Sequence, residues 1–499
     1  MTGKNTFLLF LLLGISFLLS LCFSPPFDHV RDDREVFSYA GMAILKGQVP
    51  YRDFFDHKPP GIFFINAAGS LLGGLWGLWT INAVLALIAT WLLYRTCVRH
   101  RLAFPWLLPL LFNLMIRDNL ISGGASMTRE FTTFLFVLFF CVFMGKSRFR
   151  EILLGLFTGL IFFTQQEQVL TVLPFLLYIL LAERPRPGYL SVARMGLGFA
   201  LVLLPILLYF AWNHSLGYLW EDGFRFNMVW YTTQPKSFGD HFRTIKRSLD
   251  AGNYEMPFMI ALVSGITALV FRHKKKGLLL ASLAAFFLSF APEMMGSRFE
   301  GRANPRDCDF YFLPLAGTVC ALLFVVFAFS EEAILGNPKV QLPFALLLCS
   351  GLTYTSLQHS THLVRRSDDK DINSPVLNYL RGHRPGGDYD LYVFNYDDYI
   401  YAYNEFRILA PSRWIYHHMW DWYVGWDADH TFLNAITTDL LKHRTTYILM
   451  DAERLKQFLD PGAAAIWRMF MQTHYEPLTI PGANGPILWK RTEAAISHN

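Results

Sequence analysis

Apolar stretches long enough to cross about 30 Å of hydrocarbon recur through the first two thirds of the chain. They fall at residues 6–23, 62–94, 102–116, 130–145, 151–164, 168–182, 195–212, 256–271, 277–291, 311–329 and 341–357. The pattern predicts about eleven membrane-spanning helices. The stretch 62–94 is too long for one span and is expected to begin with a partly embedded helix containing Gly69, Gly73 and Gly74. The opening run Phe7 to Phe23 has no clear small-residue cleavage site before Pro25 and Pro26, so it reads as an uncleaved first span.

From about residue 359 the grammar changes. DLYVFN at 390–395, TYILMD at 446–451 and ILWKR at 487–491 alternate like strands, and 374–382 and 431–443 have helical spacing. The expected architecture is an α-helical polytopic membrane domain over 1–358 followed by a small soluble α/β domain over 359–499.

Composition agrees with a membrane protein: 53% of the residues are hydrophobic, 16% aromatic and only 17% charged. The formal charge of +5 is spread among short loops and leaves no basic stripe for nucleic acid. Of six cysteines, only Cys308 lies in a polar loop, so neither a disulfide framework nor zinc spacing is present. With the N-terminus in the cytoplasm, four basic clusters fall inside: Arg95 to Arg101, Lys146 to Arg150, Arg184 with Arg186, and Arg272 to Lys276. The loops 24–61, 117–129, 213–255 and 292–310 then lie outside, as does the tail. In the first outer loop the basic residues are matched by Asp28, Asp32, Asp33, Glu35, Asp53 and Asp56, a balance that suggests a site.

That loop, FDHVRDDREVFSYAGMAILKGQVPYRDFFDHKPPG at 27–61, is the most informative stretch. Residues 33–46 have the spacing of a short amphipathic helix along the membrane surface, with Asp32 and Asp33 at its N-terminal end. Two carboxylates there can be simple caps stabilised by the helix dipole, or they can be reactive groups. The following Asp56-His57-Lys58 places an acid, an imidazole and an ammonium together, stiffened by Pro59 and Pro60, where an interfacial anchor is the plainer reading.

The order of Asp33, Val36, Phe37 and Tyr39, then Leu45, Gly47, Pro50, Tyr51, Arg52 and Asp53, then Asp56 to Pro60, resembles the first periplasmic loop of the GT-C superfamily. These are integral-membrane glycosyltransferases, and the similarity is to the branch of dolichyl-phosphate-mannose protein mannosyltransferases and aminoarabinose transferases. GGASMTREF at 123–131 is similar to the second outer loop, with its acid at Glu130. GLFTGLIFFTQQEQVL at 155–170 looks like the helix pair with a polar outer turn, here Gln165, Gln166 and Glu167. GSRFEGRANPRDCDFYFLPLAG at 296–317 resembles the late basic loop, with Arg298, Arg302, Arg306, Tyr311 and Pro314.

The resemblance implies a sugar donor on a polyprenyl-phosphate carrier, a lipid, glycan or protein acceptor, and work at the outer face of a bacterial inner membrane. It points to Asp33 as general base, with Asp32 as the other reading of the pair and Glu130 orienting the acceptor or holding a metal. Lys58, Arg298, Arg302 and Arg306 are candidates for the carrier phosphate, because Arg forks and Lys point charges suit phosphate oxygens. Asp56, His57, Arg52, Gln166 and Tyr311 complete the expected substrate-binding set. A divalent metal ion is left open, since no ligand spacing demands one.

Two other classes compete. A transporter or flippase would concentrate ionisable residues in mid-span, whereas here they cluster in the outer loops. A ligase for lipid-linked saccharides is expected to have its largest loop late and no DHKPP entry. The aromatic segments 230–234 and 413–429 suit sugar stacking and an interfacial belt equally, and His417 and His418 read as structural.

Orientation can be tested directly. Alkaline phosphatase fused after Asn499 is expected to be active in cells and a fluorescent protein fused there dark. The reverse result would invert the topology.

Overall fold

A computed structural model describes residues 3–27, 32–117, 126–183, 188–231, 255–270, 274–289, 313–330, 373–394, 399–415, 427–450, 459–483 and 487–492, with 343, 350 and 417. The first helices are α1 (Gly3–Leu21), α2 (Asp32–Leu45), α3 (Gly61–Leu71), α4 (Leu75–Arg99) and α5 (Leu107–Ile116). There follow α6 (Thr128–Phe143), α7 (Arg150–Thr164), α8 (Val169–Leu181), α9 (Tyr189–Trp212) and α10 (Leu216–Trp220). Two π-helical turns, Glu221–Arg225 and Asn227–Tyr231, carry α10 onward. Next come α11 (Glu255–Val270), α12 (Lys276–Leu288) and α13 (Leu313–Phe329). The tail adds α14 (Pro375–Gly382), β1 (Leu391–Phe394), α15 (Tyr401–Phe406), α16 (Thr431–Lys442), β2 (Tyr447–Met450), α17 (Pro461–His474), β3 (Tyr475–Pro477) and β4 (Ile487–Arg491).

Contacts divide the chain into two units. One comprises Met1–Phe27, Trp79–Tyr209 and Thr232–Leu363, the other Asp28–Leu78, Phe210–Tyr231 and Val364–Asn499. The segment 28–78, with α2 and α3, therefore packs with the tail.

In the first unit α13 is apolar all round and α6 is apolar beyond its polar opening turns, and both are buried on nearly every side. Phe140 meets the edge of Phe324 at 5.4 Å between ring centres. Helix α9 does the opposite. Its Leu201, Leu204 and Leu208 are 54%, 54% and 67% exposed, a cost water would not tolerate along a whole helix and lipid would. Among the described residues, α4 and α9 are each long and apolar enough to cross a bilayer, while the other apolar helices run 10–17 residues, α1 counted from Asn5. The expected span at 341–357 lies outside the described residues, apart from two isolated positions.

Helix α7 crosses α9 at backbone distance. A Cβ on Gly155 would collide with the carbonyl oxygen of Met195, and one on Gly198 with that of Ile152. Small residues at such a crossing let two helices gain dispersion contacts over their whole length.

The long apolar stretch is divided as expected, but Gly73 and Gly74, expected within its first helix, fall after that helix and form the break. Helix α3 ends at Leu71, and Gly73 and Gly74 take φ of 114° and 68° before α4 begins, a conformation that side chains with a Cβ resist.

In the second unit the strands form one sheet in the order β1-β2-β4-β3, with β1 parallel to β2 and the other pairs antiparallel. Helix α14 starts on Ser374, whose hydroxyl accepts from Leu377 N, with Pro375 at the first turn. Helix α17 starts the same way on Asp460, whose carboxylate accepts from Gly462 N and Ala463 N at 2.8 and 3.0 Å. Buried Trp467 of α17 stacks on Phe394 of β1 at 4.1 Å and fixes that helix on the sheet. The three strand-like runs seen in the sequence are β1, β2 and β4. Strand β3 escapes the pattern because it is three residues long and ends in Pro477, at the sheet edge where proline is tolerated.

Gly155→Ala is expected to force α7 and α9 apart and to lower stability by about 1–3 kcal/mol, the usual cost of overpacking. Thermal unfolding in detergent would measure it, and an unchanged midpoint would show that the crossing has slack.

Candidate active site

The geometry begins with α2, whose first turn carries Asp32 and Asp33. The Asp32 side chain lies outside the described residues. Asp33 is partly exposed, and its Oδ2 stands 3.9 Å from the ammonium of Lys58. Between them runs a turn that folds back on itself. Asp53 accepts from Val49 N at 2.7 Å and returns its own N–H to the Val49 carbonyl at 2.9 Å. Tyr51 sits in that turn with φ of 66°, a left-handed conformation rare for an aromatic residue. It is fully buried against Phe63 and Phe210, and its hydroxyl donates to the Lys58 carbonyl at 2.7 Å. The strained residue thus holds the turn that delivers Lys58.

His57 is fixed by Asn227. The Asn227 amide nitrogen donates to the carbonyls of His57 and Gly223 at 2.6 and 3.0 Å, so its oxygen must face His57 Nδ1, 2.8 Å away. An acceptor there requires Nδ1 to carry the proton. The lone pair on Nε2 then faces Lys58 Nζ at 3.4 Å. The ammonium is steered by an imidazole on one side and the Asp33 carboxylate on the other, with the Phe37 ring 5.9 Å below it.

Asp56 is buried and accepts from Lys58 N at 3.0 Å. Burial pushes its carboxyl up to about 6, and Asp33 adds to the rise, while the Lys58 charge and the backbone N–H oppose it. Arg52 forks onto Asp53 at 2.9 and 2.7 Å and donates to the Asn213 carbonyl at 3.1 Å. Its guanidinium shapes the turn.

The unit's tail braces this assembly. Asn404 donates to the carboxylate and carbonyl of Glu35 at 2.9 and 3.0 Å, and Ala410 N donates to the Tyr39 hydroxyl at 3.0 Å. Lys46 reaches Asp388 at 2.5 Å and the Arg407 carbonyl at 2.6 Å.

In the other unit Glu130 opens α6 with no exposure at all. Arg117 donates to its Oε1 at 2.7 Å, while Asn82 at 2.7 Å and the Ser126 N–H donate to Oε2. Arg117 also reaches Asn82 Oδ1 at 2.6 Å, which closes a buried ring of charge-assisted bonds. Arg129 stands 3.7 Å from Glu167, which also accepts from Gln165. Gln166, in the turn Gln166–Gln168, is half-buried.

Of the residues expected from the sequence, Asp33, Asp56, His57 and Lys58 come together in one unit. Arg52 is nearby but engaged with Asp53, and Glu130 and Gln166 belong to the other unit. Arg298, Arg302, Arg306 and Tyr311 lie outside the described residues. The sequence reading missed Asn227, Asn82 and Arg117. Asn82 was detectable as a polar residue within an apolar span, which needs a partner there. Asn227 gave no such signal.

Among the described residues no three His, Cys, Asp or Glu side chains converge as metal ligands. Glu130 has both oxygens engaged, and His57 presents Nδ1 to Asn227 and Nε2 to Lys58.

The arrangement is a mostly helical fold that carries a small four-stranded sheet. The structure is similar to the crystal structure of ArnT from Cupriavidus metallidurans bound to undecaprenyl phosphate, with a TM-score of 0.60, 9% identity and 99% of each chain covered. The chain thus shares the fold of ArnT, an aminoarabinose transferase. The Archaeoglobus fulgidus oligosaccharyltransferase, tethered with an acceptor peptide, aligns with a TM-score of 0.46, 12% identity, and coverage of 98% of this chain and 75% of its own. No family model matches the sequence. No curated protein matches it either.

The raised carboxyl of Asp56 gives a pH test. An unfolded Asp titrates near about 4, so the folded chain holds the proton more tightly between about 4 and about 6. The resulting stabilisation is complete below that window and is lost as pH rises through it. The thermal midpoint of Asp56→Asn, measured against the native chain, is expected to gain with rising pH across the window and then level off. Asp222, also pushed up to about 6 by burial, is common to both proteins and cancels. A pH-independent difference would show Asp56 to titrate normally.

Proposed function

We propose that the protein is a multi-pass glycosyltransferase that takes a sugar from a polyprenyl-phosphate carrier at the outer face of the inner membrane and passes it to a lipid, glycan or protein hydroxyl. The observation that carries the reading is Asp33 and Lys58 facing each other at 3.9 Å, with Lys58 held from behind by His57. The undecaprenyl phosphate bound to ArnT, whose fold this chain shares, supports the choice of carrier. About eleven spans, an N-terminus inside and a tail outside form part of the same proposal.

Glycosyl transfer breaks the bond between the anomeric carbon and the phosphate oxygen as the acceptor oxygen attacks. The acceptor hydroxyl must lose its proton and the leaving phosphate gains charge. Asp33, partly exposed, takes that proton as general base. Lys58 moves from its carboxylate partner onto the phosphate, where a point charge stabilises the departing oxygens. Separation of the resting pair is cheap because both groups are partly solvated, so the pair stores a cation without locking it away.

Asp33→Asn is expected to lower transfer from a radiolabelled undecaprenyl-phosphate sugar at least about a thousandfold while leaving carrier binding nearly intact, as loss of a base in the transition state does. Lys58→Ala is expected to weaken both. Equal transfer by Asp33→Asn and the native chain would remove Asp33 from the chemistry. Flux of the lipid-linked saccharide across vesicles without any transfer would instead favour a transporter.

A further inference from the structure

Arg413 lies in the tail, beyond the strand β1, and touches both sides of the turn that carries Lys58. Its carbonyl accepts from Phe55 N at 2.7 Å, one residue before Asp56. Its guanidinium pairs with Asp222 in the first π-helical turn after α10. That pair is largely withdrawn from water, with side-chain exposures of 21% and 14%. The guanidinium also lies over the rings of Trp414 and Tyr218, at 4.6 and 5.1 Å, so its orientation is set by stacking as well as charge.

The next π-helical turn begins with Asn227, the residue that grips His57 at side chain and carbonyl. The contacts therefore close a loop: Arg413 to Phe55, along the chain to His57, across to Asn227, back along the helix to Asp222, and to Arg413 again. Within this loop His57 Nε2 faces the Lys58 ammonium at 3.4 Å. Phe55 adds a second bond between the halves, its ring lying 5.0 Å from Trp414 and 5.5 Å from Phe226.

The structure assigns to Arg413 the role of a positioning residue for carrier-phosphate binding, acting through the Phe55–Lys58 turn and the Asp222–Asn227 segment. It touches neither substrate in this role. The tail is then part of the carrier site's framework, and the inference rests on the reading of Lys58 as the phosphate ligand. Truncating Arg413 would leave Asp222 withdrawn from water without its cation and release the segment that holds His57. Misplacement by about 1 Å is enough to cost large factors in a preorganised site.

The test uses the full chain in lipid nanodiscs, with undecaprenyl phosphate as the probe and a radiolabelled undecaprenyl-phosphate sugar for turnover. Native chain, Lys58→Ala, Arg413→Ala, Arg413→Lys, Asp222→Asn and the Lys58→Ala, Arg413→Ala double variant are compared. Arg413→Ala is expected to weaken probe binding and raise KM roughly tenfold, with a smaller change in kcat. Arg413→Lys keeps the charge and the backbone bond and is expected to recover most of the affinity. Because Arg413 acts through Lys58, the double variant is expected to bind no worse than Lys58→Ala alone.

Additive losses in the double variant would overturn the inference, as would native-like affinity in a folded Arg413→Ala. If Arg413→Ala does not fold, native-like affinity in Asp222→Asn overturns it. Weak binding by Lys58→Ala together with normal binding by Arg413→Ala sinks this inference and leaves the proposed function standing. Failure of the native chain to bind undecaprenyl phosphate at all sinks both.

Discussion

A charge withdrawn from water costs several kcal/mol unless another charge or a set of hydrogen bonds replaces its hydration. In a chain so apolar, that constraint decides where the polar residues can stand. Glu130 survives without any exposure because Arg117, Asn82 and the Ser126 N–H replace its water. Arg34 and Glu35 are both buried and pair with each other, and Asn404 engages the remaining carboxylate oxygen. Each such group anchors a segment that would otherwise be an ordinary loop. Where the pairing is loose, as between Asp33 and Lys58 at 3.9 Å, the charge is held less tightly.

The unlike behaviour of the two carboxylates follows. Glu130 is a pin, whose removal would leave a buried guanidinium uncompensated. Asp33 is an accessible acid at a helix start, near a cation held by softer contacts. The sequence could not separate these roles, since both are acids at the N-terminal end of a helix beside a polar loop. Burial separates them.

Much of the fold was legible because it rests on local pattern. The apolar stretches, the helix beginning at Asp32 and three of the four strands all express periodicity or turn chemistry within a short window. The contents of the site were half legible for the same reason. Asp33, Asp56, His57 and Lys58 lie close in sequence. Their partners Asn227, Asp222, Asn404 and Arg413 come from distant segments, and each is an unremarked polar residue until the fold brings it to the turn. The same limit hid the association of the tail with residues 28–78, which depends on long-range bonds such as Lys46 to Asp388.

The left-handed backbone at Tyr51 has a bearing on engineering. A designer seeking a sturdier protein would choose that position early, because glycine there would relieve strain on the order of 1 kcal/mol or more. Yet the phenol that strain supports is what ties the Lys58 carbonyl and fills the space between Phe63 and Phe210. Thermal robustness and readiness for a ligand are opposed at this residue. Variants selected for melting temperature alone would drift toward a quiet fold that has lost its grip on the turn.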